Sequence, residues 1–272
     1  MPVNQPKTET YTHGYHASVI AQHSARTASE SAAFLLPRLK PGMRLLDMGC
    51  GPGSITIGLA ETVAPGDVVG MDIGDTLIKQ ARESAMQRGF QNVQFEVGSV
   101  YEPPFPDNSF DAVYMHQVLQ HISKPIDAVR QARRVLKPGG PFGVREVDWG
   151  SAVVWPRSPM LDKWKEVYYE IARRNGGDAE AGRHVRSWLH AAGFTDVVMS
   201  SSTWVFPGRE TTAAYGESWA QRTLHSNIGV KALEYGIASK DELAGIAEAW
   251  MEWGRHPDAF FTFTHVAGIG TK

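Results

Sequence analysis

The chain has 272 residues, 42% hydrophobic and 21% charged, which is the make-up of an ordinary globular protein with a substantial core. A formal net charge of -2 without a basic run removes the electrostatic footprint of phosphate-backbone binding, so no nucleic-acid partner is expected. No apolar stretch approaches the roughly 20 residues of a membrane span, and residues 1–10 are polar, so no membrane partner is expected and the chain reads as cytoplasmic.

Between Met43 and about Gly150, short apolar runs alternate with helical patterns, as βα units feeding a mostly parallel sheet require. The runs are 44–48, 68–72, 93–97, 110–116 and 142–147. A helix starts at about Ser54. Asp75 is placed to cap the next one, with Ile78, Ala81 and Ala85 on one face and Gly89 where the chain can leave left-handed. Another helix is expected from Pro125 to Leu136, stopped by Lys137-Pro138-Gly139-Gly140. All eight tryptophans lie between Trp149 and Trp253, and this part reads as aromatic-rich and mostly helical. Residues 178–192 read as a helix ended by Gly193, and 197–206 as a strand. Ser239 and Glu242 have capping-box spacing ahead of Leu243, Ile246, Ala247 and Trp250, which recur as a buried helix face. Residues 260–267 supply a last strand. With no linker or repeat in view, one domain is expected over 1–272: a cap over 1–40, a ligand-binding core over 41–150, and over 151–272 the rest of the sheet with an aromatic helical cap.

The most informative segment is Leu45-Leu46-Asp47-Met48-Gly49-Cys50-Gly51-Pro52-Gly53, an apolar strand running into a glycine turn and then a helix. Glycine admits positive φ and lets a ligand approach without a Cβ in the way, and the helix beyond offers unpaired N–H groups to an anion. A nicotinamide fingerprint wants Gly-x-Gly-x-x-Gly, but the sixth position here is Ser54. Asp47 would repel a pyrophosphate yet can hold an ammonium, and Asp72, about 20 residues after the turn, can accept hydrogen bonds from a ribose diol. A ligand with an amino-acid end and a ribose end satisfies both, and S-adenosyl-L-methionine is such a ligand. Cys50, the single cysteine, excludes an intrachain disulfide and reads as a small residue in a crowded turn.

On these residues the sequence resembles the class I S-adenosylmethionine-dependent methyltransferases, in the group that includes ubiquinone/menaquinone C-methyltransferases. The likeness covers about 36–148. It rests also on Val69 to Asp72, on Gly98 to Val100 with Pro106-Asp107-Asn108-Ser109-Phe110-Asp111, and on Arg134-Val135-Leu136-Lys137-Pro138-Gly139-Gly140. It implies an α/β Rossmann-like fold: a mostly parallel seven-stranded sheet, helices on both faces, the last strand antiparallel, and N- and C-terminal helical caps. It also implies that Gly49, Gly51 and Gly53 pack against the methionine portion, that Asp72 binds the ribose, and that Ser99, where many relatives have aspartate, borders the adenine with Val100. His116 and Gln117 would lie near the sulfonium. The product would be S-adenosyl-L-homocysteine. The segment Tyr11-Thr12-His13-Gly14-Tyr15-His16 looks like the N-terminal cap of a little-characterised branch of the family, with Tyr11 and Tyr15 over the cofactor and His13 and His16 on the acceptor side.

Methyl transfer is an in-line displacement that gains most from alignment and exclusion of water, so no residue type is obligatory as a catalyst. The crevice beyond the strand ends should gather His116, Gln117, His121, Glu146, Asp148 and Trp149. His121, His116 and Glu146 are the candidates for proton transfer, and Asp148, Trp149, Trp204 and Trp219 for lining an acceptor site. No metal is expected, since no third ligand stands at metal spacing from His116 and His121. The expected partner is a small-molecule acceptor with an O, N, S or C nucleophile, aromatic or polyketide-like. A nicotinamide-dependent oxidoreductase and a non-catalytic S-adenosylmethionine-binding protein are the alternatives.

Overall fold

The computed structural model describes residues 11–14, 16–206 and 208–272; Tyr15, expected at the cofactor, lies outside the described residues. In chain order the elements are α1 (Ala17–Ser24), α2 (Ala28–Ser31), β1 (Leu45–Met48), α3 (Ser54–Val63), β2 (Val68–Asp72), α4 (Asp75–Gln87), β3 (Val93–Val97), β4 (Ala112–His116), α5 (Pro125–Val135), β5 (Pro141–Trp155), α6 (Pro159–Arg174), α7 (Val185–Ala191), β6 (Thr195–Phe206), α8 (Arg209–His225), α9 (Asn227–Glu234), α10 (Lys240–Arg255) and β7 (Phe260–Thr271). Short 3-10 turns stand at Leu36–Arg38, Leu119–His121 and Ala181–His184.

The strands form one sheet in the order β3-β2-β1-β4-β5-β7-β6. β1 to β5 pair in parallel, and β7 lies antiparallel between β5 and β6. With helices around the sheet, this is the Rossmann-like arrangement expected from the sequence. Leu45, Val68, Ala112 and Tyr114 pack on α2 and α3, while Leu46, Met48, Val113 and Met115 face α5 and α7. Strands covered on both faces read as continuous apolar runs, which is why they are visible in the sequence. A third cluster, holding Trp149, Trp164, Trp219, Trp250 and Trp253, fills the space between β5, β7 and the helices α6, α8, α9 and α10. There Ser239 and Glu242 form the reciprocal capping box, at 3.1 and 2.8 Å.

Several boundaries differ from the sequence reading. Asp75 is the first helical residue after Gly74 and makes no cap; it pairs with Lys79 one turn on, at 2.7 Å. β4 begins at Ala112, since Phe110 makes only an isolated bridge to Leu136. β5 is 15 residues long because β7 gives it a partner well beyond Val147, across an irregularity between Asp148 and Val153. The helix expected over 178–192 is a loop, a 3-10 turn and α7. Asp178 Oδ1 accepts the Glu180 N–H at 2.8 Å, and the Asp178 N–H goes to the Gln120 carbonyl at 2.8 Å, a local arrangement that competes with a continuous helix.

Candidate active site

Strand order reverses between β1 and β4, and in open α/β sheets ligands bind beyond the strand ends at such a point. A cleft of about 230 Å³ lies there. Gly49, Gly51 and Gly53 all have positive φ, at 84°, 56° and 80°, and carry the chain from β1 into α3. Nothing stands within 4 Å of where a Cβ on Gly51 would be, so the turn is open there, whereas a Cβ on Gly49 would collide with Val118. Gly53 does not line the cleft; it packs against Ala81 and Phe95, each 2.8 Å from its would-be Cβ. The third glycine therefore serves contact between α3, α4 and β3, and only Gly49 and Gly51 of the expected three reach the cleft.

Two carboxylates frame the turn. Asp47, 2% exposed, accepts the Thr56 hydroxyl at 2.6 Å. Burial pushes its carboxyl up to about 7, Thr56 opposing and Asp72 adding to the rise. Asp72 accepts the N–H groups of Gly51 at 3.0 Å and Gly74 at 2.8 Å, and burial raises its pKa in spite of them. Ser99 and Val100 line the cleft beyond, with Ser99 Oγ accepting the Tyr101 N–H at 3.2 Å.

The opposite wall follows β4. Arg26, after α1, donates to Gln117 Oε1 at 2.8 Å. A guanidinium can only donate, so this bond orients the amide, and the Gln117 nitrogen donates to His265 Nε2 at 2.6 Å. His116 lies between the Tyr114 and His265 rings, 6.3 and 6.1 Å away, with both ring nitrogens buried and unbonded. Burial, then the charges of Arg26 and Arg145, hold it well below the usual histidine range. His121 pairs with the Gln120 amide at 2.9 Å and meets Tyr11 and His13 edge-on at 4.9 and 5.3 Å. Burial and Arg26 lower it to about 3, so both imidazoles are neutral at neutral pH. Tyr11 and His23 complete this side of the cleft.

A second cavity, of about 20 Å³, shares His23, Arg26 and Gln117 with the cleft and is walled by His13, Trp149, Trp204 and Trp219. Four residues expected at the acceptor are thus together, and two are not. His16 caps α1, its Nδ1 accepting the Ser18 N–H at 3.3 Å, and stacks on His225. Asp148 is held by Arg183 through two bonds of 2.9 and 2.8 Å and accepts the Gly150 N–H at 2.8 Å. Glu146, expected to act in proton transfer, also stands apart from both cavities. It is fully buried and accepts the N–H groups of Val118, Leu119 and Gln120 at 3.0, 2.8 and 3.3 Å. Burial pushes its carboxyl up to about 7 against those three bonds. The reason is the two-residue period of a strand: Glu146 and Asp148 share the face of Phe142 and Val144, which turns to α5 and α7, while Arg145 and Trp149 point to the other.

Sequence reasoning passed over Arg26, Arg222 and His265. Arg222, three residues after Trp219 on the buried face of α8, donates to Gln22 Oε1 at 2.6 Å and to the Ser18 carbonyl at 3.2 Å; a basic residue in that register is the one signal available. Among the described residues, no three His, Cys, Asp or Glu side chains gather as a metal ion would require, and no helix is long and apolar enough to cross a membrane.

Residues 39–193 match the methyltransferase domain family. Over 263 residues the chain is 34% identical to an uncharacterized methyltransferase of Schizosaccharomyces pombe, covering 93% of each chain. It is 30% identical over 216 residues to the demethylmenaquinone methyltransferase of Listeria monocytogenes, covering 76% of this chain and 83% of that one. Among solved structures, the YcgJ protein of Bacillus subtilis aligns with a TM-score of 0.59 and 20% identity, covering 89% of this chain and 97% of that one.

Proposed function

The chain belongs to the class I S-adenosylmethionine-dependent methyltransferases, and on that premise we propose that it methylates a small aromatic acceptor held in the tryptophan-walled chamber beside the cofactor cleft. The observation that carries this reading is the adjacency of the two cavities, which share Arg26, His23 and Gln117. The Listeria relative, a demethylmenaquinone methyltransferase, supports a small-molecule acceptor. β6 and β7 continue the same sheet, which supports one methyltransferase unit, and the single cysteine fits work in the cytoplasm.

The cleft suits S-adenosylmethionine: Gly51 leaves open space for its approach, Asp47 offers charge to an ammonium, Asp72 offers acceptors to a ribose diol, and Ser99 and Val100 border the adenine. Bound there, the cofactor supplies an electrophilic methyl group. Gln117, fixed by Arg26, faces both spaces, and the neutral His116 lines the cleft beside it. Tyr11, His13 and His121 pack edge to edge over it and exclude water. Where the acceptor must lose a proton, His116, whose ring nitrogens have no partner, is the candidate to take it, as a weak base, whereas the acceptor nitrogen of His121 is already engaged by the Gln120 amide. Calorimetry with S-adenosylhomocysteine and with NAD, on wild type and Asp72→Ala, tests the assignment. Adenosyl binding weakened tenfold or more by the substitution is expected; preference for NAD, or no adenosyl binding, would overturn it.

A further inference from the structure

The chamber carries positive charge that transfer of a methyl group does not explain. Arg26 and Arg222 both line it, and its remaining walls hold no acidic side chain. Arg222 is only 2% exposed. Arg26 donates to the Gln117 amide and Arg222 to the Gln22 amide and a carbonyl, all neutral acceptors. The Nε atoms of both are buried without a partner. Among the described residues, the ion pairs all lie elsewhere. His13 and His23, also in the walls, are held neutral by burial, reinforced by these arginines. Arg26 and Arg222 lie over the rings of Trp204 and Trp219, at 5.7 and 5.2 Å, which relieves part of the cost of burying them, but buried charges are ordinarily paired with opposite charge, and two like charges around one space still lack an anion between them.

We propose that the chamber takes an anionic acceptor, a planar ring compound bearing a carboxylate that sits between Arg26 and Arg222 against the tryptophan walls. A carboxylate matches the fork of a guanidinium, and the tryptophan walls give a flat ring apolar contact on what Phe263, stacked on Trp149, and Trp250, stacked on Trp219, leave uncovered. At about 20 Å³ the chamber as it stands admits roughly a water molecule. Its roof is α1, tied to α8 by the bonds from Arg222 to Gln22 and to the Ser18 carbonyl. Exchange of Gln22 and the Ser18 carbonyl for the ligand's carboxylate at Arg222 would undo both ties and let the roof rise to admit the ring. The inference rests on the methyltransferase reading, but Arg222 lines only the chamber whereas Arg26 also lines the cofactor cleft, so Arg222 discriminates between the two ligands.

The test is calorimetric titration of the protein saturated with S-adenosylhomocysteine, using benzoate, 1-naphthoate and 2-naphthoate against their carboxamides. At least one carboxylate should bind tenfold or more tightly than its amide. Arg222→Gln should abolish that preference and leave S-adenosylhomocysteine affinity within twofold, and Arg222→Lys should keep part of it. Equal binding of acid and amide, binding of neither, or a preference that survives Arg222→Gln would overturn the inference. If Arg222→Gln does not fold, the wild-type comparison and Arg222→Lys decide. If S-adenosylhomocysteine does not bind, the methyltransferase reading falls, and the same titration without it still reads the acid preference.

Discussion

Replacing Glu146 by glutamine separates a carboxylate that positions the turn Leu119–His121 from one that acts on the reacting atoms. Its two oxygens accept three backbone N–H groups, while an amide brings one acceptor oxygen and two donors. At least one N–H then faces a donor, at a cost of about 1–3 kcal/mol. The wild-type carboxylate has its own cost, because its pKa rises from 4.5 to about 7 in the folded protein, which is worth ~3 kcal/mol once the group is ionised. The sign follows from linkage: between those values the folded state holds the extra proton, so the stability tied to Glu146 is fully present below pH 4.5 and is lost as pH rises to 7. Glutamine has no such loss. Urea denaturation followed by tryptophan fluorescence at pH 5 and pH 8 should therefore show the difference between variant and wild type moving by about 2–3 kcal/mol in favour of Glu146→Gln as pH rises. A difference that does not change with pH would refute a buried, costly carboxylate at this position.

Three further expectations follow from the same geometry. Gly49→Ala should lower S-adenosylhomocysteine affinity more than tenfold by calorimetry, since its Cβ collides with Val118 at a backbone φ of 84°; unchanged affinity would mean that the turn tolerates a side chain. Asp47, protonated below about pH 7 in the free protein, must ionise to hold an ammonium, so cofactor affinity should rise about tenfold per pH unit up to pH 7 and then level. Calorimetry from pH 5.5 to 8 should show this in wild type, and a flat profile in Asp47→Asn. Asp148→Asn should cost about 1 kcal/mol by urea denaturation through the weakening of its pair with the half-exposed Arg183 and leave S-adenosylhomocysteine affinity unchanged; a large loss of affinity would return Asp148 to the ligand site.

The middle of the parallel half of the sheet is legible because β1, β2 and β4 are nearly continuous apolar runs, while the edge strand β3 alternates apolar and polar residues, and Asp47, the glycine turn and Asp72 sit at strand tips that such runs locate. The same continuity hides which way side chains point. β5 is buried on both faces, so nothing in its sequence tells that Glu146 and Asp148 face away from the cavities; pairing with β4 and β7 decides it. Gly51 and Gly53 look alike in sequence, and only the packing of Phe95 and Ala81 assigns Gly53 to contact between elements. Arg26, Arg222 and His265 come to the site from α1's exit, α8 and β7, and no local spacing relates residues so far apart in the chain.

β7 follows every other element in the sequence yet lies inside the sheet, between β5 and β6. While the chain is being synthesised, β6 therefore has nothing to pair with and β5 keeps one bare edge until residues 260–271 emerge. Exposed strand edges are what other chains stick to, and the interval between synthesis of β6 and of β7 leaves such edges on both of β7's neighbours. Phe263 and His265 arrive in that same stretch, so the wall beside Trp204 exists only once residues 260–271 have been made.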